Sequence, residues 1–431
     1  MAGSRLRRSP SSSRVGALAF FALSFVSCGE RSAPERTAGN SDGAGHTEAP
    51  GALRFDSSGV EIVVSRNVVA LEDVGWRISS RPSVVIGAAN TSSGELYRVS
   101  GAKVSTSDDH VLIADGGRRQ VVAFDFGGYE RRSFGGRGRG PGEFEEIALV
   151  PAPGSDSLVA WDSRLRRLHL VSEDLGDART LVPEGRPPAR PPLGFTGGHL
   201  LVENMLITPF KDGANAFPQV FSWFEPESGR KVDILSVSLE TMYSVSPRGG
   251  GPRTSGVIPF VPRPAAAVGI GEAFFIRDEK PEVAVIDLAG RTQRILRVPG
   301  YEGPEVTDEM VAEHRRHEYG DSWNSAVVDQ LYEAMTPPSR APAFDAVVFD
   351  LTGRVWVRTV PVEVEPADSG GGGIPWLVFD ESGEVLGQIL IPSGLEVTEI
   401  GESHVLGVVV DDFGVERVVS YDLERAGEAS P

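Results

Sequence analysis

The chain has 431 residues, a formal net charge of −18 and a single cysteine. Such acidity disfavours nucleic acid and loose attraction to anionic lipid, and one thiol cannot form a disulfide within the chain. With 40% hydrophobic residues there is material for a large core, and 51 Gly with 31 Pro suit a fold of many strands and turns rather than a disordered one.

Residues 1–27 read as a leader. Arg5, Arg7, Arg8 and Arg14 make a basic start, and VGALAFFALSFV (15–26) is an apolar core too short to span a bilayer. Ser27-Cys28-Gly29 follows, similar to a bacterial lipobox, in which the thiol is diacylated; Phe25 departs from the usual Leu. Cys28 is therefore expected to carry lipid, the alternative being a plain secretory peptide. That places the protein in a bacterial cell envelope, facing the periplasm or on the outer membrane. Residues 28–58 are small, polar and aperiodic and read as a flexible tether. The folded part is expected over 59–425, with 426–431 as a tail.

One stretch, DHVLIADGGRRQVVAFDFGGYERRSFGGRGRGPGEFE (109–145), sets the plan of that part. Val111–Ala114, Gln120–Phe124 and Tyr129–Phe134 are short runs of strand formers, each closed by a turn signal. Asp followed three residues later by Gly suits a type I turn with a left-handed residue after it. The plan recurs as apolar runs ending near 162, 203, 278, 358 and 412, each followed by a second strand. With 115 that makes six units, the first two spaced as four-stranded repeats are. The Asp-x-x-Gly turn returns at Asp287–Gly290 and Asp380–Gly383. VVIGAANTSSGELYRV (84–99) echoes FGGRGRGPGEF in the order strand, Gly, Gly-Glu, bulky residue. The last unit lacks an outer strand, so Ser83–Ile86 is expected to complete it and close the ring, with Gly59–Ser65 adding a strand there.

VLIADGGRRQVVAFDFGGYERRSFGGRGRGPGEF resembles the NHL-type repeat of six-bladed β-propellers, and the chain is similar, over roughly 82–425, to bacterial lipoproteins of the six-bladed propeller class. The resemblance implies an all-β, six-bladed β-propeller with one small helical insertion at 300–341. Such propellers include enzymes, sensors and protein- or RNA-binding modules, so it implies a fold and not a chemistry.

Four long excursions interrupt the repeat, at 204–218, 239–262, 300–341 and 360–375. In a propeller, links between blades and links between second and third strands emerge on one face, and all four are of those kinds. Loops gathered on one face of a rigid scaffold are where binding is usually built. In 300–341, Thr307 with Asp308 and Glu309 starts a helix, and Val327, Val328, Leu331, Tyr332 and Met335 share a helical face that the propeller surface beside blades four and five is expected to cover.

Candidate sites weigh little against structural readings. GGRGRGPG (135–142) fails G-x-G-x-x-G and precedes a strand, so it reads as an inter-blade link, leaving Arg137 and Arg139 free to meet an anion. Asp115, Asp162, Asp278 and Asp412 could ring a cation, but local turn bonds and arginines explain them better. His110, His199 and His404 fall in separated blades on the short-turn face. His314 and His317 have chelating spacing without H-E-x-x-H. No G-x-S-x-G occurs. Glu145, Glu146, Asp345 and Glu396 are carboxylates expected near the channel. Tyr319 and Trp323, near the helix join, complete the candidate ligand face with Arg137 and Arg139. The reading is a monomeric binding or interaction module for an unknown protein or small ligand on the long-loop face. It needs no cofactor, metal or nucleic acid and is held to the membrane by Cys28. The alternatives are a metal-dependent lyase or lactone hydrolase with its site at the channel mouth, and a structural envelope component.

Overall fold

Val111–Asp115 shows why the apolar runs are continuous. Its side chains alternate between two cores: Val111 and Ile113 face one, Leu112 and Ala114 the next. A strand buried on both faces needs no polar alternation. The outer strand Glu130–Gly135 is mostly exposed and reads as polar. The structure, a computed structural model, describes residues 52–66, 68–87, 94–107, 109–185, 187–206, 209–250, 252–320, 325–360, 373–411 and 413–425.

Among the described residues, six sheets each contain four successive antiparallel strands. Their innermost strands are Val99–Val104, Ala148–Val150, Gly194–Thr196, Ala265–Val268, Phe344–Phe349 and Glu396–Ile400. These follow one another round a ring: Phe195 N–H donates to Pro151 O between sheets two and three, and the sixth inner strand packs back on the first. Apolar clusters fill the six sheet-to-sheet interfaces. Large side chains such as Trp161, Trp223, Trp356 and Phe124 are fully buried there; each such burial contributes about 1.5–3 kcal/mol. The fold is a β-propeller. Among the described residues no helix is long and apolar enough to cross a membrane.

The ring closes through the N-terminal strand Val84–Ile86, which pairs with Glu416–Glu424 in the register Val418↔Ile86 and Ser420↔Val84. The expected echo is geometrical as well: Gly87 and Gly135 have positive φ, and a Cβ on either would meet Leu96 or Phe144 at 2.9 Å. The expectation for Gly59–Ser65 is corrected. Val60–Val64 lies parallel to Thr292–Arg297 on the outside of sheet four, with Leu53–Ser57 beyond it. The position is one of burial: Val63 joins the core between sheets four and five, and Ile62 is buried as well.

Residues 53–87 thus form a belt across three sheets. Gln388 N–H donates to Val69 O on sheet five, and Leu71 and Trp76 enter the core between sheets five and six. Beside Trp76 lies a buried ion pair, Arg425 with Asp350 at 3.2 Å. Asp350 also accepts from Trp356 Nε1 at 2.8 Å, and the Arg425 guanidinium sits 5.0 Å from the Trp76 ring. Removing one partner of such a pair costs about 3–5 kcal/mol, because the other charge stays buried.

Candidate functional site

Three of the four long excursions fold together. Gly213–Ala216, from the first, pairs with Glu240–Val245, which pairs with Thr254–Val257 from the second. Asn215 is buried in this small sheet and satisfies its amide on Lys211 O, Gly213 O and Ser244 Oγ. The third excursion supplies helices α1 (Asp308–Tyr319) and α2 (Ala326–Ala334). Thr307 caps α1 as expected, its hydroxyl accepting from Met310 N–H at 3.2 Å. Glu305 and Arg340 bridge the two ends of the excursion.

The apolar face of α2 is covered differently from the expectation. Val328, Leu331 and Met335 are buried, but Leu331 and Met335 pack with Val245 and Ile258 of the neighbouring excursion rather than on the propeller wall. The reason is reach: the small sheet rises beside the helices and offers its own apolar face. Gly256 permits the approach, since a Cβ there would overlap Tyr319 Oη and Leu331. Tyr319 and Tyr332 meet edge to face at 6.0 Å, and His314 Nδ1 lies 2.9 Å from Tyr332 Oη. Burial raises the Tyr332 phenol to about 12 and lowers the His314 imidazole. The result is a cap with its own core on the long-loop face. Of the fourth excursion, 361–372 lies outside the described residues, as do Cys28, Trp323 and Asp412.

The other candidates are placed as follows. The Gly-rich link turns its carbonyls inward: Arg167 donates to Arg139 O at 3.0 Å, Gly140 O at 2.8 Å and Glu143 O. A loop that wraps a cation with carbonyls is no phosphate cradle. Gly135 and Gly136 take φ of 107° and 138°, which only glycine adopts freely. Arg139 pairs with Glu145 at 2.8 Å, and Arg137 is exposed. These arginines stand on the link between sheets one and two, while Tyr319 belongs to the cap beside sheets three to five. Asp115 and Asp162 accept from turn amides two and three residues on, and Asp162 Oδ2 also takes Glu145 N–H. Asp345 holds Arg358 through both oxygens, and Glu146 lies near Arg98 and Arg164. His110, His199 and His404 each bond within their own surroundings, to Asp109, Gly197 O and Glu399. His314 turns to Tyr332 while His317 is exposed. Among the described residues no three His, Cys, Asp or Glu are placed to share a metal.

The sequence did not disclose the shape of the channel. A cavity of about 260 Å³ runs along the inner strands and reaches the short turns. Its wall is mostly small and apolar: Gly101, Leu149, Ala152, Ala266, Ala267, Val347 and Val397. Lys103, Ser157, Thr398 and Glu399 are its polar members. Lys103 is paired with Glu173, and Glu399 accepts from Val104 N–H at 2.7 Å and contacts His404 Nε2 at 3.2 Å. The signal was the alanine run at 265–267 on the inner strand, whose small residues leave the space.

No protein-family model and no curated relative matches the sequence. Among solved structures, the chain is similar to a member of the DUF4221 family from Bacteroides vulgatus, at 11% identity over 81% of this chain and 99% of that one, with a TM-score of 0.48. It is also similar to a calcium-binding protein, regucalcin, from Agrobacterium tumefaciens, at 10% identity over 81% and 97%, TM-score 0.32. A gluconolactonase from Xanthomonas campestris matches at 12% identity over 77% and 87%, TM-score 0.31. At these scores none assigns a chemistry, and the architecture stands on the strand pairing itself.

Proposed function

We propose that this is an exported, lipid-anchored six-bladed β-propeller that acts as a binding module, with its partner engaged by the cap. One observation carries the reading: three excursions, far apart in sequence, assemble a single cap with its own buried core on one face. A ring whose turns were merely decorated would have no reason to join them. A metal-dependent lyase or lactone hydrolase would need several oxygen or nitrogen donors from different sheets aimed at one point. The channel's two charged side chains are instead engaged by protein partners, which supports the binding reading.

Replacing 303–338 with a short Gly-Ser linker tests it. Photo-crosslinks from the exposed side of α1, at Glu313 or His317, are expected to capture a saturable partner in the cell envelope. Affinity for that partner is expected to fall in the shortened, folded chain; unchanged affinity refutes the role of the cap. Anchoring is tested apart from this. Cys28→Ser is expected to move the protein from the membrane to the soluble fraction, and unchanged fractionation counts against lipidation.

A further inference from the structure

We infer that the central channel is a second binding site, entered from the short-turn face and shaped for a compact, uncharged, largely hydrocarbon molecule bearing one hydroxyl or carbonyl. It lies on the face opposite the cap and does not depend on the reading of the cap.

Size and chemistry of the wall come first. The cavity holds about 260 Å³ among the inner strands, and alanine, valine and leucine side chains dominate its surface. Apolar protein cavities of about 150 Å³ stay dry and take up benzene or xenon, because water gains few hydrogen bonds there. A larger apolar channel with an open end offers the same gain to any hydrocarbon that fits.

The charges come next. Glu173, which holds Lys103, also accepts from Thr106 N–H and Thr106 Oγ1, each at 2.7 Å. Glu399 is occupied by Val104 and His404. A charged ligand would lose its hydration and find each opposite charge already engaged, which is costly. Thr398 differs. It lines the channel, and its hydroxyl, which donates to Leu406 O at 3.3 Å, keeps lone pairs with which to accept. Ser157 is a second hydroxyl-bearing residue among those that line the channel. These two fix the polar end of a ligand without demanding charge.

The entrance is the third observation. Ile270 and Leu351 sit at tips of short turns on sheets four and five and are 68% and 55% exposed. Leu351 and Pro153 also line the channel. Ile270 reaches across to sheet two, where its Cδ1 would stand 3.6 Å from a Cβ on Gly154. The intervening turn of sheet three is only Gly197-Gly198, short enough to let it pass. Large apolar side chains held in water around an apolar opening are the expected lip of a site for apolar ligands.

The test uses the full chain carrying Cys28→Ser, so that no acyl chain competes, and titrates it calorimetrically with cyclohexanol, cyclohexylammonium and cyclohexanecarboxylate. Saturable one-to-one binding of the alcohol is expected, with both ions weaker by about tenfold or more. Ala266→Phe, at a half-buried position on the wall, narrows the channel and is expected to abolish binding. Should that variant fail to fold, Leu351→Glu at the exposed lip is expected to weaken the alcohol about tenfold. In Ser157→Cys, cyclohexanol is expected to slow thiol labelling by a small neutral maleimide. The chain with 303–338 replaced is expected to bind as before. No saturable binding of the alcohol, equal binding of the ions, indifference to the channel and lip variants, or loss on removing the cap would each overturn the inference. The last outcome would move the site to the cap, and the proposed function would survive it.

Discussion

The ring and the cap build their cores in opposite ways. Each of the six interface cores joins neighbouring sheets, mostly through strands close in sequence, and repeats one arrangement. The cap core joins Ala214, Tyr243, Val245, Ile258, Tyr319, Leu331 and Met335, which come from three excursions separated by whole strands and sheets. None of these residues belongs to an interface core. The cap should therefore be removable, whereas nothing in the ring should be, because each sheet supplies half of two cores.

The largest expected effect tests that asymmetry. Deleting 53–88 removes Val84 and Ile86 from the closing strand and Leu71 and Trp76 from the core of sheets five and six. At about 1.5–3 kcal/mol for each buried side chain, the loss rivals the ~5–15 kcal/mol that holds an ordinary domain together. Loss of cooperative thermal unfolding is expected. Deleting only 53–66 takes strands from the outside of sheet four and should lower the melting temperature by several degrees. Replacing 303–338 should leave the ring's transition in place. If the 53–88 deletion melts like the intact chain, closure is not what holds the ring.

How much of this was legible follows the same division. The strands of the ring were readable because burial on both faces makes runs such as Val111–Ala114 wholly apolar, and because Asp-x-x-Gly turns have a local cause. Asp125 Oδ1 accepts from Gly127 and Tyr129 amides, and Gly128 has φ of 78°. The same turn at Asp350–Gly353 and Asp411–Gly414 went unread, although Gly353 and Gly414 also have positive φ. The closing strand was readable from a missing partner in the last unit. The belt was not: Leu71 and Trp76 lie in no repeat, and nothing local says which sheet edge will receive Val60–Val64. The cap sheet escaped for the same reason. Gly213–Ala216 and Thr254–Val257 are short, and their pairing partner lies outside the repeat. The helices were legible from period and cap, but the surface covering them was not. The channel's emptiness depends on six strands meeting, which no single segment encodes.

A smaller effect separates ring from cap by pH. His169 is fully buried in sheet two, its ring 4.6 Å from Phe144 under the Gly-rich link. Burial, and then the charge of Arg167, lower its pKa from 6.5 to about 4, while Asp162 opposes them. In the unfolded chain the imidazole takes up a proton below about 6.5, and in the folded chain only near 4. Its contribution is therefore complete above pH 6.5 and is lost as pH falls through that window to about 4; in total it is about 3 kcal/mol. His169→Phe keeps an aromatic ring there and leaves Thr180, which is half-buried, to reach water. The difference in urea unfolding free energy between parent and variant should change between pH 6.5 and 4 and stay level above 7. A difference independent of pH would show that His169 does not titrate as its burial requires.

The smallest expected effect is the sharpest test of independence. Helix α1 has no fully buried residue, so little tertiary packing compensates for a lost cap. Thr307 accepts from Met310 N–H, Asp308 and Glu309 stand at the positive end of the helix dipole, and Arg316 and His317 at the negative end. Thr307→Ala removes the capping hydroxyl together with the methyl of an exposed side chain and should cost about 1 kcal/mol. If the cap opens by itself, that cost falls entirely on α1. Amide exchange at Val311, whose N–H bonds the retained Thr307 carbonyl, should then quicken about fivefold, while exchange in Val111–Asp115 and the melting of the ring stay put. If the strand amides quicken by the same factor, α1 opens only when the ring does. Cap and ring would then be one cooperative unit, and the cap could not present its surface to a partner independently of the scaffold beneath it.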